Sequence, residues 1–276
     1  DLGHTPFGHS GEDALAERMA GHGGFEHNRQ SLRVVDVLER RYPDHPGLNL
    51  TWEVRESIVK HETVYDRPSA EEFEPDLAPL LEAQIVNAAD PIAYDNHDLD
   101  DGLRAGMIHE SDLDGLALWR RACRGVEERY PGLAGEARWT RVVTWLIDHA
   151  VTDLVRSTAR RVEERGIRTL ADVRARGAGT VGFSPELDAE RGELQAFLME
   201  RVYRHYRVAR MVTKARRFVG ELFAAFVENP RQLPPKYQEW ARETGLERAV
   251  CDYIAGMTDR YAQQEWLRLF HPFEIV

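Results

Sequence analysis

Apolar residues recur along most of this chain at helical spacing, broken by glycine and proline clusters, and the alternation of a half-buried strand is almost absent. The pattern predicts a helix over 11–19, with Ser10 as N-cap and Asp13 in its first turn. A second follows over 28–40, with Leu32, Val35 and Leu38 on one face, and a third over 52–61, with Val54, Ile58 and Val59 turned inward. The longest reading, 77–103, contains Pro91, whose missing N–H and bulky ring predict a kink or a local break. Further helices are expected over 113–130, 140–165, 193–227 and 246–269. The breakers at 42–47, Asn229-Pro230 and Pro234-Pro235 separate elements, 67–75 reads as a solvated acidic loop, and 174–185 reads as a glycine-containing loop. The expected fold class is all-α, arranged as a helical core over 1–165, a flexible loop over 166–192 and a C-terminal helical region over 193–276 packed on that core.

Composition narrows the partners more than the fold. The 276 residues are 42% hydrophobic, enough to bury a sizeable core. A mean hydropathy of −0.51 and the lack of any apolar run near ~18 residues argue against a membrane span. No signal peptide opens the chain, and two distant cysteines, Cys123 and Cys251, supply no disulfide framework, so a reducing cytoplasm is the expected location. A net charge of −11 argues against nucleic acid as the main ligand, though a compact anion held by a few local cations remains compatible with it. Only Lys60, Lys214 and Lys236 are lysines among 36 basic residues, which draws attention to Lys60.

Titratable chemistry concentrates at the start of the chain. Asp1-Leu2-Gly3-His4-Thr5-Pro6-Phe7-Gly8-His9-Ser10-Gly11-Glu12 places a carboxylate, two histidines and a glutamate among glycines, followed by Phe25-Glu26-His27-Asn28-Arg29-Gln30. Glycine lets backbone approach a ligand, histidine titrates near neutrality and binds metals, and carboxylates take hard cations. His9 and Glu12 lie within one helical turn, a spacing that suits an imidazole oriented by a carboxylate for proton transfer, or else a hydrogen-bonded loop histidine. On the long helix Asp90, Tyr94 and Asp98 share one face, with His97 and Asp101 beside it; the face could serve a metal and a sugar hydroxyl, or be merely solvated. Lys60 could neutralise a phosphate or cap its own helix. Trp119, Trp139 and Trp145 read as core or interface, and His149 and His205 as structural. The basic run Arg201, Arg204, Arg207 and Arg210 fits a solvated face, a subunit contact or an allosteric nucleotide site.

The opening segment closely resembles the region around the paired His-Asp of the HD-domain deoxynucleoside triphosphate triphosphohydrolases, the bacterial dGTPase-like family. The resemblance continues through 25–33, Ile58-Val59-Lys60-His61, 88–98 and Asp252-Tyr253-Ile254-Ala255-Gly256-Met257-Thr258-Asp259. It implies an HD-type helical fold with additional C-terminal helices, and hydrolysis of dGTP or other deoxynucleoside triphosphates to deoxynucleoside and triphosphate. It also implies one divalent metal per subunit, of a kind (Mg, Mn, Co, Ni or Fe) that the residues do not select. Asp1 and Asp90 match two metal ligands; two further histidines are expected upstream of residue 1, consistent with a sequence that lacks an initiating methionine and begins inside a motif. His9 with Glu12 matches the catalytic pair, His4, His27 and Lys60 match phosphate contacts, Tyr94 would exclude a 2′-hydroxyl, and Asp98 would accept from the 3′-hydroxyl. Relatives commonly form dimers or hexamers, so a homo-oligomer is expected. The alternatives are another HD-type nucleotide phosphohydrolase, or a catalytically impaired oligomer that senses deoxynucleotides.

Overall fold

The computed structural model describes residues 2–61, 71–176 and 179–272. Among these residues there are α-helices, short 3₁₀ and π turns and no strand, as the all-α pattern requires. In chain order the helices are α1 (His9–Met19), α2 (His27–Arg33), α3 (Trp52–Val59), α4 (Leu81–Arg104), α5 (Ala117–Arg129) and α6 (Gly135–Glu164). Then come α7 (Leu170–Arg176), α8 (Pro185–Leu198), α9 (Tyr206–Glu228), α10 (Pro235–Thr244), α11 (Leu246–Ala255) and α12 (Asp259–Phe270). The chain divides into two compact units, one made of Asp1–Val59 with Ala209–Val276, the other of Lys60–Val208.

In the first unit, Leu15 and Met19 stand one turn apart on α1 and are wholly buried. They meet Val219, Leu222, Phe223 and Phe226 of α9, the i, i+3, i+4, i+7 stripe of an amphipathic helix, together with Val250, Cys251 and Ile254 of α11. Burying each large aliphatic chain contributes about 1.5–3 kcal/mol. This packing fixes α1 and, through it, the histidine-rich segment that leads into it. The second unit is built on α4, α5, α6 and α8, with Leu99, Leu103, Trp119, Val142, Leu146 and Leu198 in one core. Trp139 and Trp145 pack against its margin, which agrees with their structural reading.

Several elements depart from the sequence pattern for local reasons. Gly8, at φ 58°, is the N-cap of α1, so Ser10 lies inside the helix instead of capping it. α2 passes into a π-helical turn, Val34–Leu38, before the chain leaves the helix, and Val54 on α3 is exposed, not inward. α4 runs without a break through Pro91: the ring costs one backbone hydrogen bond, but the turns on either side are held by buried Ala83, Ile92 and Leu99. The expected helix over 193–227 is two helices, because a π turn at Met199–Tyr203 ends the first and α9 starts afresh at Tyr206. Likewise 246–269 splits at Gly256, and Thr258 caps α12 by accepting a hydrogen bond from Tyr261 N. The segment expected as a loop over 166–192 contains α7 and the first half of α8, the latter capped by Ser184. α10 begins at Pro235, which sits at the first helical position where its missing N–H costs nothing. Most of the acidic loop expected over 67–75 lies outside the described residues.

Candidate functional site

Two close backbone approaches shape the opening segment. Gly3 N donates to Ser31 Oγ at 2.9 Å, and a Cβ on Gly3 would fall 2.1 Å from Ser31 N, so only glycine lets this strand of chain lie against α2. Gly11 does the same against Pro6 O, at 2.0 Å from a Cβ, folding the Thr5–Gly8 turn back onto α1. The result is that residues far apart in sequence meet. The rings of His4 and His27 stack with centroids 4.7 Å apart, and His9 stands edge-on to His4 at 5.1 Å and to His27 at 6.3 Å.

Glu12 completes the group but not in the way its spacing suggests. Its carboxylate was expected to orient His9; instead both oxygens lie 3.1 Å from His27 Nδ1, and one also accepts from His27 N at 2.9 Å. The helix-turn distance between His9 and Glu12 is real, but the N-terminus of α2 delivers a better-placed donor. Burial alone would push the Glu12 carboxyl up; the hydrogen bond and charge of His27 outweigh it and hold the group below its usual 4.5. Burial, and then the charge of His27, lower the imidazole of His4 below 6.5, and its Nδ1 is buried without a hydrogen-bond partner. His4 is therefore a mostly neutral ring at pH 7 with one buried nitrogen that makes no hydrogen bond.

A depressed carboxyl makes a testable statement about stability. Because the folded-state pKa of Glu12 lies below its unfolded value, its contribution is present above about pH 4.5 and is lost as pH falls through the folded value. Urea midpoints of wild type and Glu12→Gln are thus expected to differ most at pH 7 and to converge as pH falls through the lowered folded-state value. A difference that persisted unchanged in acid would show that the glutamate stabilises by shape and not by charge.

The second constellation lies on α4 in the other unit. Unbroken helix through Pro91 keeps Asp90, Tyr94 and Asp98 on one half-buried face, as their spacing implied. Tyr203 donates its hydroxyl to Asp98 Oδ2, and one turn away the buried Asp95 accepts from Arg191 at 2.8 Å and Gln195 at 3.0 Å. Burial raises both carboxyls, against the lowering effect of those donors. Sequence reasoning missed Tyr203, Arg191, Gln195 and Asp95, since partners about 100 residues away on α8 and the following π turn leave no spacing signal in α4. Lys60 is buried and donates to Glu74 O at 2.8 Å and Leu77 O at 2.9 Å, so it ties down the next segment instead of capping α3.

Two placements bear on a metal. His4, Glu12 and His27 present donor atoms within 4.8 Å of one another, a span one cation could bridge, but Glu12 is already engaged by His27. Asp90 is half-buried and its carboxylate makes no side-chain hydrogen bond or ion pair among the described residues, which suits a group kept for a hard cation. Asp1 lies outside the described residues.

Other side chains fall where the bland reading put them. His149 stacks on Trp145 at 4.7 Å, and His205 lies against Tyr206 at 4.6 Å. Arg201 is paired with Asp112, Arg204 with Glu200, and Arg207 donates to Ala105 O, so this basic run is largely tied to its own unit. Both cysteines are free, with burial pushing Cys123 up to about 11 and Cys251 up to about 12. No helix is long and apolar enough to cross a membrane among the described residues.

The described residues form an all-helical fold, and residues 181–268 match the family model described as phosphohydrolase-associated domain, which supports an HD-type helical fold. A deoxyguanosinetriphosphate triphosphohydrolase-like protein of Geobacter metallireducens is 50% identical over 278 residues, covering 100% of this chain and 72% of the relative. Proteins of the same name from an Azoarcus species and from Ralstonia nicotianae are 49% and 46% identical, covering 100% and 98% of the chain and 73% and 70% of the relatives. The chain belongs to the deoxyguanosinetriphosphate triphosphohydrolase-like family of phosphohydrolases.

Proposed function

We propose that the chain hydrolyses deoxynucleoside triphosphates, dGTP or a broader set, to deoxynucleoside and triphosphate. The observation that carries this reading is the packed imidazole group of His4, His9 and His27 with ionised Glu12, a proton-handling cluster in a chain of this family. His9, exposed at the first turn of α1, would protonate the departing 5′ oxygen. Glu12 holds His27 in one orientation through its Nδ1, His27 would contact a phosphate oxygen, and neutral His4 would offer a second such contact. On α4, Tyr94 would occupy the space of a 2′-hydroxyl and Asp98, steadied by Tyr203, would accept from a 3′-hydroxyl. Lys60 would act as a point charge toward the triphosphate.

Asp90 and Asp1, with histidines expected upstream, would hold one divalent cation. Bound there, such an ion would lower the pKa of a water and offset charge on an α-phosphate oxygen. Dimeric or hexameric assembly and a cytoplasmic location belong to the same proposal.

The deciding experiment is an assay of all four deoxynucleoside triphosphates for inorganic triphosphate release, across several divalent metals. Release of triphosphate with metal dependence supports the reading; monophosphate or cyclic-nucleotide hydrolysis in its place would favour another HD-type phosphohydrolase, and binding without turnover a deoxynucleotide sensor. Tyr94→Ala is expected to relax discrimination against ribonucleotides by up to about 10²-fold in kcat/KM ratio. Selectivity that does not move would remove Tyr94 from the sugar site.

A further inference from the structure

The turn between His4 and His9 is kept in an uncommon conformation by a residue near the other end of the chain. Phe7 and Gly8 stand in succession at φ 65° and φ 58°. Glycine takes the left-handed region freely, but a residue with a bulky ring enters it only where its surroundings hold it there. Two contacts hold Phe7. Its backbone N donates to Asp259 Oδ1 at 2.9 Å, across 252 positions of sequence, and its ring meets Phe218 of α9 with centroids 6.0 Å apart. Asp259 is itself firmly placed: it opens α12 directly after Thr258, whose hydroxyl caps the helix, and buried Met257 and Ala262 pin the chain on either side. Two turns further along, Trp266 lies 5.0 Å from the same Phe218 ring, so α12 reaches the turn by a polar and an aromatic route.

What the turn sets is the entry into α1. Gly8 O accepts from Thr5 Oγ1 at 3.0 Å, from Gly11 N at 3.0 Å and from Glu12 N at 3.1 Å, so the orientation of the Phe7–Gly8 pair passes directly into the first turn of the helix. His9 is the next residue, and His4 stands just before the turn, with the two rings edge-on at 5.1 Å. Were Phe7 to relax to negative φ, the chain would leave the turn in another direction and His9 would lose its place beside His4. An acidic residue in a first helical turn also steadies its helix through the dipole. That second role depends on charge and not on Phe7, which makes the two separable.

We infer that Asp259 is a positioning residue for the His9 imidazole: it fixes the Phe7–Gly8 turn through Phe7 N and so sets where His9 stands against His4. Its consequence for turnover rests on the proposed hydrolysis, in which His9 is the acid. Asp259 is exposed, so replacing it empties no core.

Two variants of the full chain test the inference. Asp259→Ala removes the acceptor, whereas Asp259→Asn keeps an oxygen for Phe7 N and gives up only the charge. Asp259→Ala is expected to lower kcat for triphosphate release by about tenfold with KM little changed, since a misplaced acid costs the proton step more than it costs binding. Asp259→Asn should recover most of that loss. Equal loss in both variants would assign Asp259 to the helix dipole, and wild-type turnover in Asp259→Ala would show that the turn needs no outside hold; either result overturns the inference. A second readout does not depend on the reaction. At fixed pH the His4 and His9 imidazole resonances should move in Asp259→Ala and stay in place in Asp259→Asn, and resonances unmoved in Asp259→Ala overturn the inference while leaving the hydrolase standing. If the wild type releases triphosphate from no deoxynucleotide, the hydrolase reading falls, and moved resonances still support the hold on the turn. Should Asp259→Ala fail to fold, hydrogen exchange at the Phe7 amide of the wild type decides in its place: slowing by about tenfold or more against an unstructured chain supports the bond, and exchange at the unstructured rate overturns it.

Discussion

His9→Ala is expected to lower triphosphate release by about 10²–10⁴-fold, the usual worth of a positioned general acid, while nucleotide binding stays largely in place. The expectation rests on where the ring stands. His9 opens α1 on the exposed side of the cluster, whereas His4 is half-buried behind it and His27 is buried against Glu12. Of the three imidazoles, His9 is the one best able to reach a leaving oxygen and exchange its proton with water. Single-turnover release of triphosphate, measured beside equilibrium binding of the substrate, separates the proton step from affinity. Wild-type turnover in the variant would reassign the acid, with His27 the next group to vary. Glu12→Gln makes the complementary measurement: since its partner is His27, its loss should appear mainly in KM, through a misoriented phosphate contact, and much less in the rate of the proton step.

Asp252→Ala is expected to destabilise the first unit by about 3–5 kcal/mol, the largest single effect on folding we foresee, because it strips a buried acceptor from one buried and two half-buried side chains at once. Asp252 is 2% exposed and accepts from Arg33 Nε at 2.8 Å and NH2 at 2.7 Å, Gln30 Nε2 at 3.0 Å and Trp240 Nε1 at 2.9 Å. One carboxylate thereby joins α2, α10 and α11. Removing it would leave a guanidinium without its counter-charge, and Asp252→Asn would keep the volume but lose the charge and one acceptor. Chemical denaturation of wild type, Asp252→Ala and Asp252→Asn, fitted for midpoint and slope, reads the effect. A loss below about 1 kcal/mol in both variants would show that solvent replaces the carboxylate, and that the joint is not held by it. The same carboxylate sits within the 252–259 stretch that carried family resemblance, and its structural role accounts for Asp252 there.

How much of this was legible beforehand differs from element to element. The helices with one apolar stripe, α1, α4 and α6, were placed to within a few residues, since a 3.6-residue repeat over a long window has few other solutions. Boundaries that depend on a single backbone conformation were not: Gly8 as the cap of α1, the π turn at 199–203 and the break at Gly256 each replaced an expected continuation. The chemistry followed the same division. Asp90, Tyr94 and Asp98 share a face because helical geometry alone puts them there. Glu12 binds His27 and not His9 because the start of α2 brings both the backbone N and the Nδ1 of His27 to its carboxylate.

The sequence by itself determined that the chain is helical, that it belongs among the dGTPase-like phosphohydrolases, and which histidines and carboxylates to examine. Those are properties of local periodicity and of residue order, which need no knowledge of what lies across a gap. Tertiary structure alone decided who partners whom: Glu12 with His27, Asp98 with Tyr203, Asp95 with Arg191, and Arg161 and Arg165 with neutral oxygens of Phe183 and Thr180. Each of those pairs joins groups whose nearness is set by packing between elements, and a hydrogen bond forms only with the donor that packing brings within about 3 Å.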